Sequence, residues 1–288
     1  MGHRVSWLQR RVGLGPGRIL DTHVFEAPLS RKAPDLFRDA SGTLAMADRH
    51  AEEMEARLSD LIEDMDRACV DASLVVLHKE TDQFCHLAAR HTGRLFGLAH
   101  YDSLSPPRGL EWVQALCHDH PGLILGVTTA MPWLGQDPRL RDFAPLYEFC
   151  AERGLPVQFH AGNDAAEGVP RLMALAVLAR SYPRLKLVCR YHEGWRGEAV
   201  VLLNHLPNLF LQVDGLSLHT PLRATGSRKL LFGSDWRGRE ASYFERVEGV
   251  RRLPWWQRRN VAWRTAVRVY APRILCPPAR VDPQPLSR

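Results

Sequence analysis

The chain has 288 residues, 45% of them hydrophobic and 24% charged. This is the balance of a folded domain with a real core, and it excludes a disordered chain. The 38 Lys and Arg against 32 Asp and Glu leave a net charge of +6. That charge is chiefly arginine scattered along the chain, so the basic stripe with interleaved aromatics that marks a nucleic-acid binder is missing.

No apolar run approaches the roughly 18 residues of a membrane span, and Met1 to Gly17 lacks the apolar stretch of a signal peptide. The sequence therefore predicts a cytoplasmic protein with no membrane or nucleic-acid partner. Its six cysteines form no CxxC pair, which points to reduced thiols rather than a disulfide frame or a zinc ribbon. No shift in composition divides the chain. One metal-dependent barrel domain is read over 1–275, followed by a Pro-rich tail over 276–288.

In chain order, short apolar runs alternate with amphipathic segments, the pattern of βα units around a parallel sheet. Strands are predicted at 18–22, 72–77, 95–99, 123–127, 156–159, 185–190, 209–213 and 230–232. Helices fall between them, for example over 51–68, where Met54, Leu58, Leu61, Ile62 and Met65 share one face, and over 141–153. Eight strands in about 250 residues predict a (β/α)8 TIM barrel.

In such a barrel the chemistry sits where the strands end and the βα loops begin. His23 and Glu26 follow the first predicted strand, His78 the second, and His100 with Asp102 the third. His160 ends the fifth, His192 and Glu193 the sixth, Asp214 the seventh and Asp235 the eighth. A lone histidine at such a place is most simply a packed structural residue. Five on one face, with carboxylates among them, are hard to explain by packing, because buried polar groups are costly unless bonded. Imidazole and carboxylate are the ligands that divalent zinc, manganese or iron accept. Trp133, Trp195 and Trp236 follow strands four, six and eight and either wall an apolar substrate pocket with His78 and His100 or serve as core or loop packing. Trp255 and Trp256 are read as packing, and Arg190 as one side of a surface ion pair or a holder of an anionic substrate tail.

The ordered segments Ile19-Leu20-Asp21-Thr22-His23, Met65 to Asp71, Gly154 to Gly162, Leu185 to His192 and Leu231 to Trp236 resemble the amidohydrolase superfamily, in particular its amidohydrolase-2 branch. The resemblance implies an amidohydrolase-like TIM barrel. Two departures stand out. The His-x-His pair usual at the end of strand one reads His23-Val24-Phe25, and strand four carries no lysine to be carbamylated as a metal bridge. A smaller group in this lineage, the TIM-barrel nonheme diiron monooxygenases, which includes diterpenoid hydroxylation in platensimycin- and platencin-type antibiotic biosynthesis, fits the altered pattern.

At the strand ends His23, Glu26, His160, His192, Glu193 and Asp235 make three imidazoles and three carboxylates, enough to hold two metal ions, with Glu193 and Asp235 read as catalytic; the resemblance implies that the two ions are iron. It also implies an oxidoreductase that draws on dioxygen and an electron donor to hydroxylate an apolar, CoA-linked small molecule, in the homodimeric state common among such barrels. Strict strand alternation turns Glu26 and Glu193 away from His23 and His192, so they join the site only where strands end or bulge. The alternative is a zinc- or manganese-dependent hydrolase or decarboxylase of the amidohydrolase-2 type, with His192 or Asp235 handling protons. A metal-free scaffold would leave the converging ligand-type residues without a reason.

Overall fold

The computed structural model of the chain describes residues 18–25, 44–78, 82–130, 136–160, 165–190, 203–236, 238 and 241–270. Eight parallel strands stand in sequential order: β1 (Leu20–Phe25), β2 (Ala72–Leu77), β3 (Leu95–His100), β4 (Ile124–Thr129), β5 (Val157–Phe159), β6 (Leu187–Arg190), β7 (Leu209–Val213) and β8 (Leu230–Phe232). The barrel closes between β8 and β1. There Asp235 N–H donates to His23 O (3.0 Å), Thr22 Oγ1 donates to Phe232 O (2.6 Å), and Val24 bridges Trp236.

Between the strands run α1 (Leu44–Arg67), α2 (Asp82–Arg90), α3 (Pro106–Asp119), α4 (Ala144–Arg153), α5 (Ala165–Ser181) and α6 (His219–Thr225), and after β8 come α7 (Ala241–Arg251), α8 (Trp255–Arg259) and α9 (Thr265–Tyr270). On α1, Leu58, Leu61, Ile62 and Met65 are buried together, as their three- and four-residue spacing demands. The predicted helix over 141–153 divides into a 3-10 turn (Arg141–Phe143) and α4. Pro145 explains the division, since it has no N–H to give and its ring crowds the carbonyl four residues earlier. Gly154 ends α4 with φ 68°, a left-handed conformation that glycine adopts without penalty.

Two apolar layers make the core. Leu20, Leu74, Val76, Leu98, Val188 and Phe210 fill the barrel and meet Ala266, Val269 and Tyr270 of α9, which closes its floor. Alternate residues such as Val75, Leu77, Val157, Phe159, Leu211 and Phe232 face the surrounding helices. Strands buried on both faces read as continuous apolar runs, which is why β2 (ASLVVL) is buried along its whole length.

One irregularity matters for the site. Asp21 pairs with Ser73, but Val24 pairs with Val75, so β1 carries one extra residue at Thr22-His23. Without this bulge, alternation from Leu20 would turn His23 towards the helices; with it, His23 faces inward. The strand therefore runs on to Phe25, and His23 lies within β1 rather than after it. Trp255 and Trp256 are exposed and meet edge to face, which corrects their reading as packing residues. Among the described residues, Cys69, Cys85, Cys117, Cys150 and Cys189 form no disulfide. The Pro-rich tail lies outside the described residues. Among the described residues, no helix is long and apolar enough to cross a membrane.

Candidate active site

The inward positions follow a simple rule. Two residues beyond the last apolar floor residue, the side chain becomes polar. Val76 gives way to His78, Leu98 to His100, Val188 to Arg190 and Phe210 to Gln212, while on β5 Gln158 is followed by His160. Residues two apart share a strand face, so these groups crown the apolar floor at the end from which the βα loops leave.

His23, His160 and Asp235 meet there. The rings of His23 and His160 have centroids 4.6 Å apart, and His23 Nε2 lies 3.9 Å from Asp235 Oδ1. His23 is fully buried, and its Nδ1 lies 2.7 Å from Gln158 Nε2. The backbone N–H of His160 donates to Thr129 O (3.0 Å), which seats the residue directly above β5. Burial holds the His160 imidazole well below its ordinary pKa, and the neighbouring His23 and Arg190 add to this. It is therefore neutral at physiological pH, the form in which imidazole binds metal.

Asp235 adopts φ 57°. Asp and Asn tolerate this left-handed region better than other non-glycine residues. The conformation is held by the Asp235 N–H bond to β1, and it brings the carboxylate towards the imidazoles. Oδ2 accepts a 2.7 Å bond from Arg190 Nη2, in an ion pair whose side chains are 31% and 8% exposed. The pair is largely inside the barrel, which corrects the reading of Arg190 as a surface residue.

Beneath His23 lies Asp21. Its carboxylate accepts Ser234 N–H (2.8 Å), Ser234 Oγ–H (2.5 Å) and His23 N–H (3.3 Å). Burial pushes its pKa up to about 7 against the lowering effect of these bonds, and the Asp235 carboxylate pushes the same way. Gln158 Nε2 also contacts Gln212 Oε1 (2.5 Å), and Tyr270 Oη contacts Gln158 Oε1 (2.6 Å). Gly233 makes room for this cluster, since a Cβ there would fall 1.9 Å from Gln212 Nε2.

His78 and His100 form a second pair, with ring centroids 4.5 Å apart. Burial lowers the pKa of His78 to about 4. It lowers that of His100 well below the ordinary value, with His78 and His160 adding to the effect. Both are partly exposed at the mouth and neutral at pH 7. Trp236 is not brought to this face. Its indole packs in the strand–helix layer, and its Nε1–H donates to Asp64 Oδ2 on α1 (3.1 Å). Asp102 and Asp214 instead cap local turns, accepting Leu104 N–H and the N–H groups of Leu216 and Ser217. Glu26, His192, Glu193, Trp133 and Trp195 lie outside the described residues, and so does the side chain of Phe25.

The sequence reading gave no role to Asp21, Gln158, Gln212 or Tyr270. The signal for the two glutamines was present: each is a lone polar residue inside an otherwise apolar strand.

An eight-stranded parallel barrel with its polar residues at the strand ends defines the class. The amidohydrolase family model matches residues 20–271, and the chain belongs to that family. No curated protein matches the chain. Among solved structures, a 4-oxalomesaconate hydratase from Rhodopseudomonas palustris superposes with a TM-score of 0.63 at 16% identity, covering 89% of this chain and 96% of that one. An amidohydrolase from Burkholderia multivorans with bound zinc gives 0.57 at 18% identity, covering 88% and 99%. A dihydroxybenzoic acid decarboxylase from Polaromonas, with bound manganese and the inhibitor 2-nitroresorcinol, gives 0.58 at 12% identity, covering 88% and 96%.

These findings overturn the expectation of an oxidoreductase. These three barrels are a hydratase, an amidohydrolase and a decarboxylase, the amidohydrolase with bound zinc and the decarboxylase with bound manganese. The diiron monooxygenase, its two iron ions and its place in antibiotic biosynthesis give way to the hydrolase or decarboxylase alternative.

Proposed function

We propose that the protein is a zinc- or manganese-dependent decarboxylase of the amidohydrolase type, acting on a small carboxylated molecule, with His23, His160 and Asp235 as the ligands. The approach of His23 Nε2 to Asp235 Oδ1, at 3.9 Å, carries the reading. It is too long for a hydrogen bond. Two donors each about 2.1 Å from one tetrahedral ion stand about 3.4 Å apart, so a shift of a few tenths of an ångström suffices. Among the described residues, no group of three His, Cys, Asp or Glu side chains is disposed to hold an ion as it stands. The donor types fit nonetheless: two imidazoles and a carboxylate, with His160 held neutral by burial.

When bound, the ion supplies Lewis acidity that stabilises the electron pair left on the substrate as the C–CO2 bond breaks. The protein's own groups do the rest. Arg190 holds Oδ2 of Asp235, which leaves Oδ1 towards His23, and its exposed edge suits a substrate carboxylate. His78 and His100, neutral at pH 7, serve as hydrogen-bonding groups rather than general acids. The proton that replaces carbon dioxide comes from water, since both oxygens of Asp235 are engaged, Oδ1 towards His23 and Oδ2 by Arg190.

The test is metal content and carbon dioxide release from a panel of hydroxybenzoic acids, before and after chelation. About one zinc or manganese per chain is expected, the stoichiometry of a three-ligand site, with release abolished by chelator and by His160→Ala. Full metal content in His160→Ala, or release indifferent to chelation, would sink the reading.

A further inference from the structure

Four buried groups run as a chain from the barrel floor to the site: Tyr270, Gln212, Gln158 and His23. Gln158 sits at the junction. One end of its amide lies 2.6 Å from Tyr270 Oη, and the other lies 2.7 Å from His23 Nδ1 and 2.5 Å from the Gln212 amide. The oxygen and nitrogen of an amide are told apart only by their partners, and two proton orders give each of these three contacts a donor and an acceptor.

In the first order, Tyr270 donates to the Gln158 carbonyl, and the Gln158 NH2 group donates to His23 Nδ1 and to the Gln212 carbonyl. His23 then carries its proton on Nε2, facing Asp235, and has no lone pair there for an ion. In the second order both amides are turned over. His23 Nδ1–H and the Gln212 NH2 group donate to the Gln158 carbonyl, while the Gln158 NH2 group donates to Tyr270 Oη. His23 Nε2 is then a bare lone pair. Tyr270 is suited to its place because a hydroxyl can both donate and accept.

We propose that Gln158, Gln212 and Tyr270 are positioning residues that set the tautomer of His23, placing its proton on Nδ1 against the Gln158 carbonyl so that Nε2 is left to take the divalent ion. The proposal rests on the reading of His23 as a metal ligand. A ligating imidazole characteristically gives its other N–H to an acceptor, and here a side-chain amide fills that role. Tyr270 reaches the ion only through Gln158 and His23. Removing its hydroxyl leaves a buried N–H unpaired in the second order but only a carbonyl under-used in the first. An orphaned N–H is the rarer and costlier defect, so the substitution favours the tautomer that cannot bind.

The experiment is a zinc and manganese titration of wild type, Tyr270→Phe, Gln158→Glu and the double variant, each confirmed folded by its melting curve. Tyr270→Phe should weaken binding about tenfold, the scale of an outer-shell loss. A carboxylate has two equivalent oxygens, both acceptors, so Gln158→Glu fixes the Nδ1–H tautomer without help. In that background Tyr270→Phe should change affinity by no more than about twofold, because the coupling between the two positions is gone. Wild-type affinity in a folded Tyr270→Phe protein, or the same loss in both backgrounds, overturns the proposal. If wild type takes up neither metal, the metal-centre reading itself has failed. The tautomer is then judged on the ring-nitrogen resonances of His23 in isotope-labelled protein. Tyr270→Phe should shift the population towards Nε2–H and Gln158→Glu towards Nδ1–H, and an unmoved ratio overturns the proposal.

Discussion

The floor and the mouth of this barrel are built from the same strands and obey different physics. Leu74, Val76, Leu98, Val188 and Phe210 carry no polar group to satisfy where they meet α9, and the Tyr270 hydroxyl of that helix is bonded upward to Gln158. Two residues further along the same strands, His78, His100 and Arg190 take over. On the floor, energy comes from buried area and tight filling, so each residue contributes much by itself. At the mouth, each group depends on a partner: His23 on Gln158 and Asp235 on Arg190. The floor specifies the fold, and the mouth holds chemistry whose stability is conditional on charge, proton and ligand.

That contrast can be broken most forcefully from below. Leu74→Ala should cost about 2–5 kcal/mol, the transfer energy of the lost side chain plus the cavity left behind. Denaturant titration would show the loss undiminished by added zinc or manganese, and the variant's metal affinity should stay at the wild-type level. A coupled change in metal affinity would mean that floor and mouth are not separable.

Arg190→Met acts at the mouth and should cost less, about 1–3 kcal/mol, the worth of a hydrogen bond between charged groups. It strands Asp235 in a largely buried position without its cation. Unlike the floor variant, it should be rescued in part by the divalent ion, which neutralises the same carboxylate and stabilises the folded state by mass action. Unfolding in chelator and in excess metal separates the two cases. An equal deficit in both conditions would argue that Asp235 does not meet an ion.

The floor was also the legible part. The bounds of β2, β7 and β8 match the sequence expectation to the residue, because apolar runs flanked by polar breaks mark strands buried on both faces. β1 was placed at 18–22 and found at Leu20–Phe25, since a bulge leaves no signature in an apolar pattern. The convergence of His23, His160 and Asp235 was readable from their positions at strand ends. The left-handed backbone of Asp235, its bond to Arg190 and the Gln158 junction were not, because each depends on strands distant in sequence being adjacent in space. Trp236 shows another limit: its strand end left pocket wall and core packing both open in the sequence, and its side chain packs outward against α1.

The pH dependence of the metal-free protein tests the mouth by itself. His78 has a pKa of about 4 in the folded chain against 6.5 when exposed, and His100 and His160 are lowered in the same direction. Between pH 6.5 and 4 the unfolded chain therefore binds more protons at these groups than the folded one. Stability from them is fully present above 6.5 and is lost as pH falls through that window, by at most about 1.4 kcal/mol per pH unit for each imidazole. Asp21 works the other way. Its pKa is raised from 3.8 to about 7, so the folded chain holds a proton that the unfolded one has released, and its contribution declines as pH rises through that range. Three imidazoles outweigh one carboxyl, and net stability should rise from pH 4 to 6.5. Urea titrations in chelator at successive pH values check this. His78→Gln should flatten the rise, because it removes one of the three imidazoles while keeping a polar side chain at the mouth. A slope unchanged in His78→Gln would mean that this imidazole is solvated in the folded protein and that the β2–β3 side of the mouth is more open than the β1–β8 side.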